Sequence, residues 1–397
     1  MIKARPLRLL AGLAIGLIAG IAAGDRVPAL LQIAEPIGSL WLSALTMTVV
    51  PLVFGLLVNG ICTASRAASA GGTTLRAFVT FAAMLILATV TAAACAESLL
   101  RLWPVIGVPP QGIAPVPPME GAWYQGIIPA NPIKAAADTA MVPLVVFALF
   151  LGFALARIDA ALADTLLRPL QALVEAMLVI VGWVLLVAPI GIAALAVGAG
   201  ASLGSSAFGL LGQYVVVVAV CCLAATVLAY GWAAFGGAAP HRFAAATLSA
   251  QSVALGTQSS LASLPLMVEA AGRLGVRKTT TGIVLPLAVS IFRAASAAAN
   301  VGVAVYLAHL HGVPLGVSGL AIVALVAVPV SLGAVGLPAQ VSFFATIAPV
   351  CIAVGVPTVM LPLLLAIEAV PDLFRTVGNV TNDIAAACVA DGRRRAA

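Results

Sequence analysis

Charge is what this chain has least of. Only 8% of its 397 residues are Asp, Glu, Lys or Arg, and 63% are hydrophobic; soluble domains carry about 25% charged residues. A soluble fold cannot hide so much apolar surface, and the mean hydropathy of +1.18 places most of the chain in a bilayer. Histidine is nearly absent. His241, His309 and His311 fall at span ends on opposite sides, and no Gly-x-Ser-x-Gly elbow exists, so a serine hydrolase is discounted and the chain is not read as an enzyme. Metal-spaced cysteines are lacking too. Cys62, Cys95, Cys221, Cys222, Cys351 and Cys388 lie in or beside apolar segments and read as small packed hydrophobes. The isoelectric point near 9.3 does not indicate nucleic acid, because the basic residues sit in short connectors between apolar runs.

What is present is a series of long apolar runs. Six fall near residues 7–24, 40–62, 77–100, 139–158, 166–198 and 209–235. The first follows a basic start and continues to about Ala23 without a convincing cleavage site, so it reads as a transmembrane helix. Beyond residue 240 two segments, 242–272 and 318–355, are broken by Ser, Thr, Gly and Pro, and each is followed by a further span, near 281–309 and 358–390. A cytoplasmic N-terminus, with both interrupted segments entering and leaving on one side, puts Lys3, Arg5, Arg8, Arg66, Arg76, Arg157, Arg168, Arg242, Arg273, Arg277, Lys278 and Arg393 to Arg395 in the cytoplasm. Arg26, Arg101 and Lys134 stay outside, and Arg293 and Arg375 lie within the membrane. That bias is lost if either interrupted segment crosses fully. The expected fold is therefore an all-α polytopic membrane protein with eight transmembrane helices plus two re-entrant helical hairpins and both termini cytoplasmic. The Pro-rich stretch 104–118 reads as a rigid outer loop.

The last span carries the chemistry. Glu368, Arg375, Asn379 and Asp383 stand at offsets of −4, +3, +7 and +11 from Asp372, which gathers them on one stripe of a helix. A charge at bilayer mid-depth costs about 2.5–3.5 kcal/mol on insertion scales, so the stripe needs water or partners. Such a stripe suits a zwitterion or anion plus a cation. Arg375 can grip a carboxylate, Asp372 can pair with an ammonium, and Asp383 can hold a metal ion or proton. In the first interrupted segment, GTQSSLASLP (256–265), Pro265 and the hydroxyl cluster are expected to stop the helix. That leaves backbone N–H groups and the hydroxyls of Ser259, Ser260 and Ser263 for an anionic group. In the second, SLGAVGLPAQ (331–340), Gly333, Gly336 and Pro338 break the helix.

The pattern Asp-x-x-Arg-Thr-x-x-Asn-Val-Thr-x-Asp, from Asp372 through Arg375, Thr376 and Asn379 to Asp383, resembles the last helix of the dicarboxylate/amino-acid:cation symporters, the family that includes glutamate transporters. MTVVPLVFGLLVNGI (47–61), IIPANPIKAAADT (127–139), APIGIAAL (188–195), SSLASLPLMVEAAGRLGV (259–276) and SLGAVGLP (331–338) are similar in the same order. The resemblance implies a homotrimer in a bacterial-type inner membrane. Each protomer would divide into a scaffold, mainly 1–62 and 127–200, and a moving transport core, mainly 77–100 and 209–391, that works as an elevator with the second hairpin as outer gate. It implies symport of a small acidic amino acid or dicarboxylate with sodium or a proton. Arg375 is then the ligand of a side-chain carboxylate and Asp372 of the amino group. Asn379, Thr376, Gly336 and the Ser259–Ser260 tip complete the substrate site. Asp383 becomes a sodium ligand with Asn379, and backbone near Ser290, Ser331 and Ala334 lines a second cation site.

The match breaks in one place. Sodium-coupled members carry Asn-Met-Asp-Gly-Thr in the unwound middle of the seventh helix, where this chain reads Phe292, Arg293, Ala294, Ala295, Ser296. The third span, around Phe78 to Ala88, lacks the Tyr and hydroxyl residues of the most buried sodium site. At least one sodium site is therefore expected to be missing. Arg293, midway along 281–309, is expected to act as a fixed cation beside Asp383 or Asp372, with altered or reduced sodium coupling and protons carried by Glu368 or Asp383. The degenerate seventh helix leaves open a receptor-like or channel-like relative that keeps the fold without coupled transport.

Overall fold

A backbone in hydrocarbon must satisfy its own polar groups, which restricts an open chain to helices. The computed structural model describes residues 6–23, 27–68, 72–105, 127–333 and 339–392, and among these every regular element is helical. The order is α1 (Pro6–Ala23), α2 (Pro28–Thr46), α3 (Val49–Ala68), α4 (Gly72–Leu102), α5 (Pro132–Ala137), α6 (Met141–Leu155), α7 (Ala160–Leu186), α8 (Ala188–Leu203) and α9 (Ser206–Phe235). It continues with α10 (Pro240–Thr257), α11 (Ser260–Arg273), α12 (Lys278–Ile291), α13 (Ala294–Leu310), α14 (Gly316–Gly333), α15 (Ala339–Ala353), α16 (Leu361–Ile367) and α17 (Ala369–Ala390). Among the described residues, five stretches are long and apolar enough to cross a bilayer: Pro28–Ala68, Gly72–Leu102, Ala160–Leu186, Ser206–Phe235 and Lys278–Leu310.

Several runs read as single spans are divided. The run 40–62 belongs to two helices, α2 and α3, because the Thr46 and Thr48 hydroxyls bond back to the Leu42 and Leu45 carbonyls and Pro51 offers no N–H to the turn before it. The run 166–198 is split at Val187, just ahead of Pro189 in the first turn of α8. The spans 281–309 and 358–390 are interrupted at Phe292–Arg293 and at Glu368.

Small residues let the separated pieces approach. Along α1, Gly12, Gly16 and Gly20 face Pro189, Ala193 and Val197 of α8, and a Cβ on Gly12 would stand 2.5 Å from the Pro189 carbonyl oxygen. The Trp41 indole N–H of α2 donates to the Val184 carbonyl at 2.9 Å, so one buried polar group serves two helices. Helix α17 packs against α4, α9, α10, α11, α12 and α13, which places its polar stripe inside the protein.

Helices α10 and α11 pack together as a hairpin, and α14 packs on α15. The first hairpin turns at Gln258, in the left-handed region at φ 50°, and at Ser259, whose hydroxyl accepts from Ala262 N–H at 3.2 Å. Pro265 does not stop the helix as expected. It lies inside α11, where a proline removes one backbone bond, and the Ser259 cap makes the turn earlier. The tip of the second hairpin, with Ala334, Gly336 and Pro338, lies outside the described residues, as does most of the Pro-rich loop.

Candidate functional site

The site begins where helices end. Helix α12 finishes with the Phe292 N–H on the Ala288 carbonyl, and Phe292 and Arg293 are extended (φ −109° and −138°) before α13 starts at Ala294. A break in two apolar helices exposes carbonyls on one side and N–H groups on the other. Asn379 of α17 meets the second set. Its oxygen accepts from Ala295 N–H (3.0 Å) and Ser296 N–H (3.2 Å), and its amide donates to the Ser296 hydroxyl at 2.9 Å. The helix that starts at Ala294 is thus capped by a residue from another helix. Asn379, expected among the ligands, has its oxygen and amide committed to this contact.

Beside the break lies an apolar contact. Phe292 stacks on Phe81 of α4 with ring centroids 4.6 Å apart and an interplanar angle of 10°, both rings fully buried. Arg293 is partly buried, and its charge acts on Asp383 and Asp372. Asp383 is 1% exposed, and neither carboxylate oxygen has a hydrogen-bond partner. An isolated carboxylate at that depth is costly, so it requires a cation, a proton or a fixed positive charge. Arg293 is the charged group that acts on it.

One to three turns N-terminal of Asn379 stands a second cluster. Arg375 Nη2 is 2.6 Å from Glu368 Oε1, and the Tyr214 hydroxyl of α9 donates to Glu368 Oε2 at 2.5 Å. All three side chains are buried. The Arg375–Glu368 contact is an ion pair without hydrogen-bond geometry, and Arg375 Nε and Nη2 are buried with no hydrogen-bond acceptor. Asp372 is half-buried and lies within the field of Arg375 and Arg293. Sequence reasoning did not single out Tyr214. The available signal was a phenol next to Gln213 in an apolar span, since a buried Tyr hydroxyl ordinarily finds a partner.

The remaining expected residues are spread around these clusters. Thr376 is buried on α17 beside Arg375. The first hairpin reaches the start of α17, where the Gln258 amide donates to the Ala369 carbonyl at 2.9 Å. Deeper along the pair, the Gln251 amide donates to the Thr381 hydroxyl, also at 2.9 Å. Ser259 and Ser260 are half-buried at the hairpin turn. The Ser263 hydroxyl, buried, donates to the Ser259 carbonyl. The Ser290 hydroxyl faces outward and bonds back to Pro286. Ser331 is buried against Asn300, whose oxygen accepts from Thr346 at 3.3 Å. Gly336 lies outside the described residues.

At the far end of α17, Asp391 accepts from Thr280 (2.6 Å) and from Arg277 Nε (2.8 Å). Burial pushes this carboxyl upward, but the Thr280 and Arg277 hydrogen bonds outweigh it and hold the group below the usual carboxylate range. A small cavity lined by Gly236, Gly275, Cys388 and Asp391 sits there, away from the charged clusters.

Taken together, the fold and site define a multi-pass membrane protein with broken helices around buried charges. The profile of the sodium:dicarboxylate symporter family matches residues 7–393, and the chain belongs to that family. The C4-dicarboxylate transport protein 1 of Pseudomonas aeruginosa (strain UCBPP-PA14) is 25% identical over 95% of this chain and 85% of its own length. The rat neutral amino acid transporter B(0) is 31% identical over 60% of this chain, and the human neutral amino acid transporter A 30% identical over 60%. The matches span under half of those two transporters, 44% and 46% of their lengths.

Proposed function

We propose that this protein is a secondary active symporter for a small acidic amino acid or dicarboxylate, and that Arg293 replaces a coupling cation its relatives bind. The observation that carries the second part is Asp383, a buried carboxylate without a hydrogen bond and in the field of the Arg293 guanidinium. The Phe81–Phe292 stack supports it, since two aromatic rings offer no oxygen ligand beside the helix break where the family resemblance expects a sodium site. The acidic substrate rests on Arg375 and Asp372 at one end of α17, a cation and an anion set for a carboxylate and an ammonium. A dicarboxylate-transport relative aligned over nearly the whole chain favours the same class. The packing of α1 and α2 on α8, apart from the bundle around α17, supports a scaffold of residues 1–62 and 127–200 and a moving core of 77–100 and 209–391. Homotrimer assembly and cytoplasmic termini belong to the same reading.

Uptake of radiolabelled L-aspartate into proteoliposomes tests this, with a sodium gradient, a proton gradient and neither compared side by side. Uptake without sodium is expected in the wild type, and Arg293→Met should become sodium-dependent or lose transport. Strict sodium dependence of the wild type would remove the surrogate role of Arg293. Failure of L-aspartate, succinate and L-alanine alike would remove the transport function.

A further inference from the structure

The basic residues that this chain uses so sparingly gather at one end of the molecule. Helix α17 stops at Ala390, and Gly392 follows at φ 68°, in the left-handed region that favours glycine. The tip of Arg76, near the start of α4, lies against it: a Cβ added to Gly392 would stand 2.5 Å from Arg76 Nη1. The preceding Asp391 is held by Arg277 at 2.8 Å, and Lys278, next in the chain, opens α12. Basic side chains of α4 and α12 thus come together around the end of α17. From Gly392 the chain continues with Arg393, Arg394 and Arg395.

Acidic partners are scarce here. Asp391 pairs with Arg277, and Glu269 of α11 pairs with Arg273. Among the described residues Arg76 and Lys278 have no carboxylate partner, and both are exposed. The Arg76 guanidinium donates to the Thr73 hydroxyl at 3.5 Å, which leaves most of its donors free.

Aromatic rings mark the depth. Helix α9 ends at Phe235, exposed, with the Trp232 ring 6.1 Å from it, and the next residue, Gly236, packs its backbone on the Cys388–Val389 peptide of α17. Trp side chains concentrate where hydrocarbon gives way to headgroups. The basic side chains just beyond therefore stand at headgroup level. Scattered cations suffice to orient a membrane protein and need not converge on one point. About four to eight of them together beside a membrane-spanning helix attract anionic lipid.

We propose that the end of α17, with Arg76, Arg277 and Lys278 around it, is a seat for the phosphate headgroup of an anionic phospholipid. Arg76 grips two phosphate oxygens with its planar fork, and Lys278 adds a point charge. Arg277 stays on Asp391 and cancels that carboxylate, which would otherwise repel the phosphate. The acyl chains run beside Phe235 and Trp232. This seat depends neither on which solute is carried nor on the role of Arg293.

The test uses the full-length protein in non-ionic detergent, titrated separately with phosphatidylglycerol, phosphatidylcholine and inorganic phosphate. Native mass spectrometry counts the lipid retained, and thermal unfolding is followed in parallel. Phosphatidylglycerol is expected to stay bound and raise the unfolding temperature, whereas phosphatidylcholine does neither. Arg76→Gln and Lys278→Gln should each weaken phosphatidylglycerol binding about fivefold. Gly392→Ala removes no charge but pushes Arg76 aside, and should weaken binding too. The control is Arg157→Gln, an exposed arginine between α6 and α7 on the side read as cytoplasmic, which should leave binding unchanged. Because Arg76 and Lys278 are exposed, their variants should unfold at the wild-type temperature in lipid-free detergent. Equal binding of phosphatidylcholine would overturn the proposal. So would an equal loss in Arg157→Gln, which would mean diffuse surface charge, or undiminished binding in the Arg76→Gln, Lys278→Gln double variant. Displacement of phosphatidylglycerol by millimolar inorganic phosphate would make this a site for a free anion and overturn the lipid assignment.

Discussion

Without the Asn379 amide, two N–H groups at the start of α13 would be buried with no acceptor. Asn379→Ala should therefore cost about 2 kcal/mol, combining a lost cap with an unsatisfied donor, and thermal unfolding in detergent would measure it. The same scale decides whether Arg293 and Asp383 act as a pair. Removing one member of a buried charge pair costs about 3–5 kcal/mol because the other is stranded. Arg293→Met and Asp383→Asn should each destabilise by that order, and the double variant by clearly less than their sum. Additive losses would mean the two side chains are independent. The α17 stripe was legible because its side chains repeat at helical spacing within an apolar run. The hold of Tyr214 on Glu368 was not, since Tyr214 lies 154 positions from Glu368 and only tertiary packing brings it there. The cap made by Asn379 was hidden for a similar reason: an amide on a polar stripe reads as a ligand until the helix start it caps is in view.

Elements are held together by spacing as much as by chemistry. The Gly12, Gly16 and Gly20 face of α1 leaves no room for a side chain against α8, because a Cβ on Gly16 would overlap the Ala193 carbonyl and Ala196 Cβ. Gly16→Val should separate the two helices, and a sharp loss of properly folded protein in size-exclusion chromatography is expected. Gly182 of α7 has nothing within 4 Å of its would-be Cβ. Gly182→Ala should be neutral or stabilise by up to about 1 kcal/mol, the helix preference of Ala over Gly. Helix breaks followed a comparable logic. The interruption at Phe292–Arg293 was visible only through the family resemblance, because nothing in VSIFRAAS disfavours a helix locally. The divisions at Thr46–Thr48 and before Pro189 had local causes, hydroxyls that bond backwards and prolines that lack an N–H. Apolar length alone masked both.

At the scale of the whole molecule, the clamp of Asp391 with Arg277 and Thr280 ties the last helix to the start of α12. Because its folded carboxyl titrates below the usual range, the clamp contributes fully above about pH 4, where the free carboxylate is ionised. Its contribution fades as the pH falls through the lower folded value. The stability gap between wild type and Asp391→Asn should stay constant from pH 8 to pH 5 and close below pH 4. Orientation has its own readout. The proposed cytoplasmic placement of the C-terminus predicts that a green fluorescent protein fused after Ala397 fluoresces and that a periplasmic phosphatase in its place is inactive.

A positive charge fixed to the backbone has an electrical consequence. A sodium ion crosses the membrane loaded and then leaves, so the membrane potential does work on it in one direction, about 2.3 kcal/mol per charge for each 100 mV. Arg293 cannot leave. In the proposed transport cycle, whatever work the potential does on its guanidinium in one half is returned in the other, and the closed cycle gains nothing from it. The voltage would set which way the empty protein prefers to face, while accumulation would depend on the solute and on whatever proton travels with it.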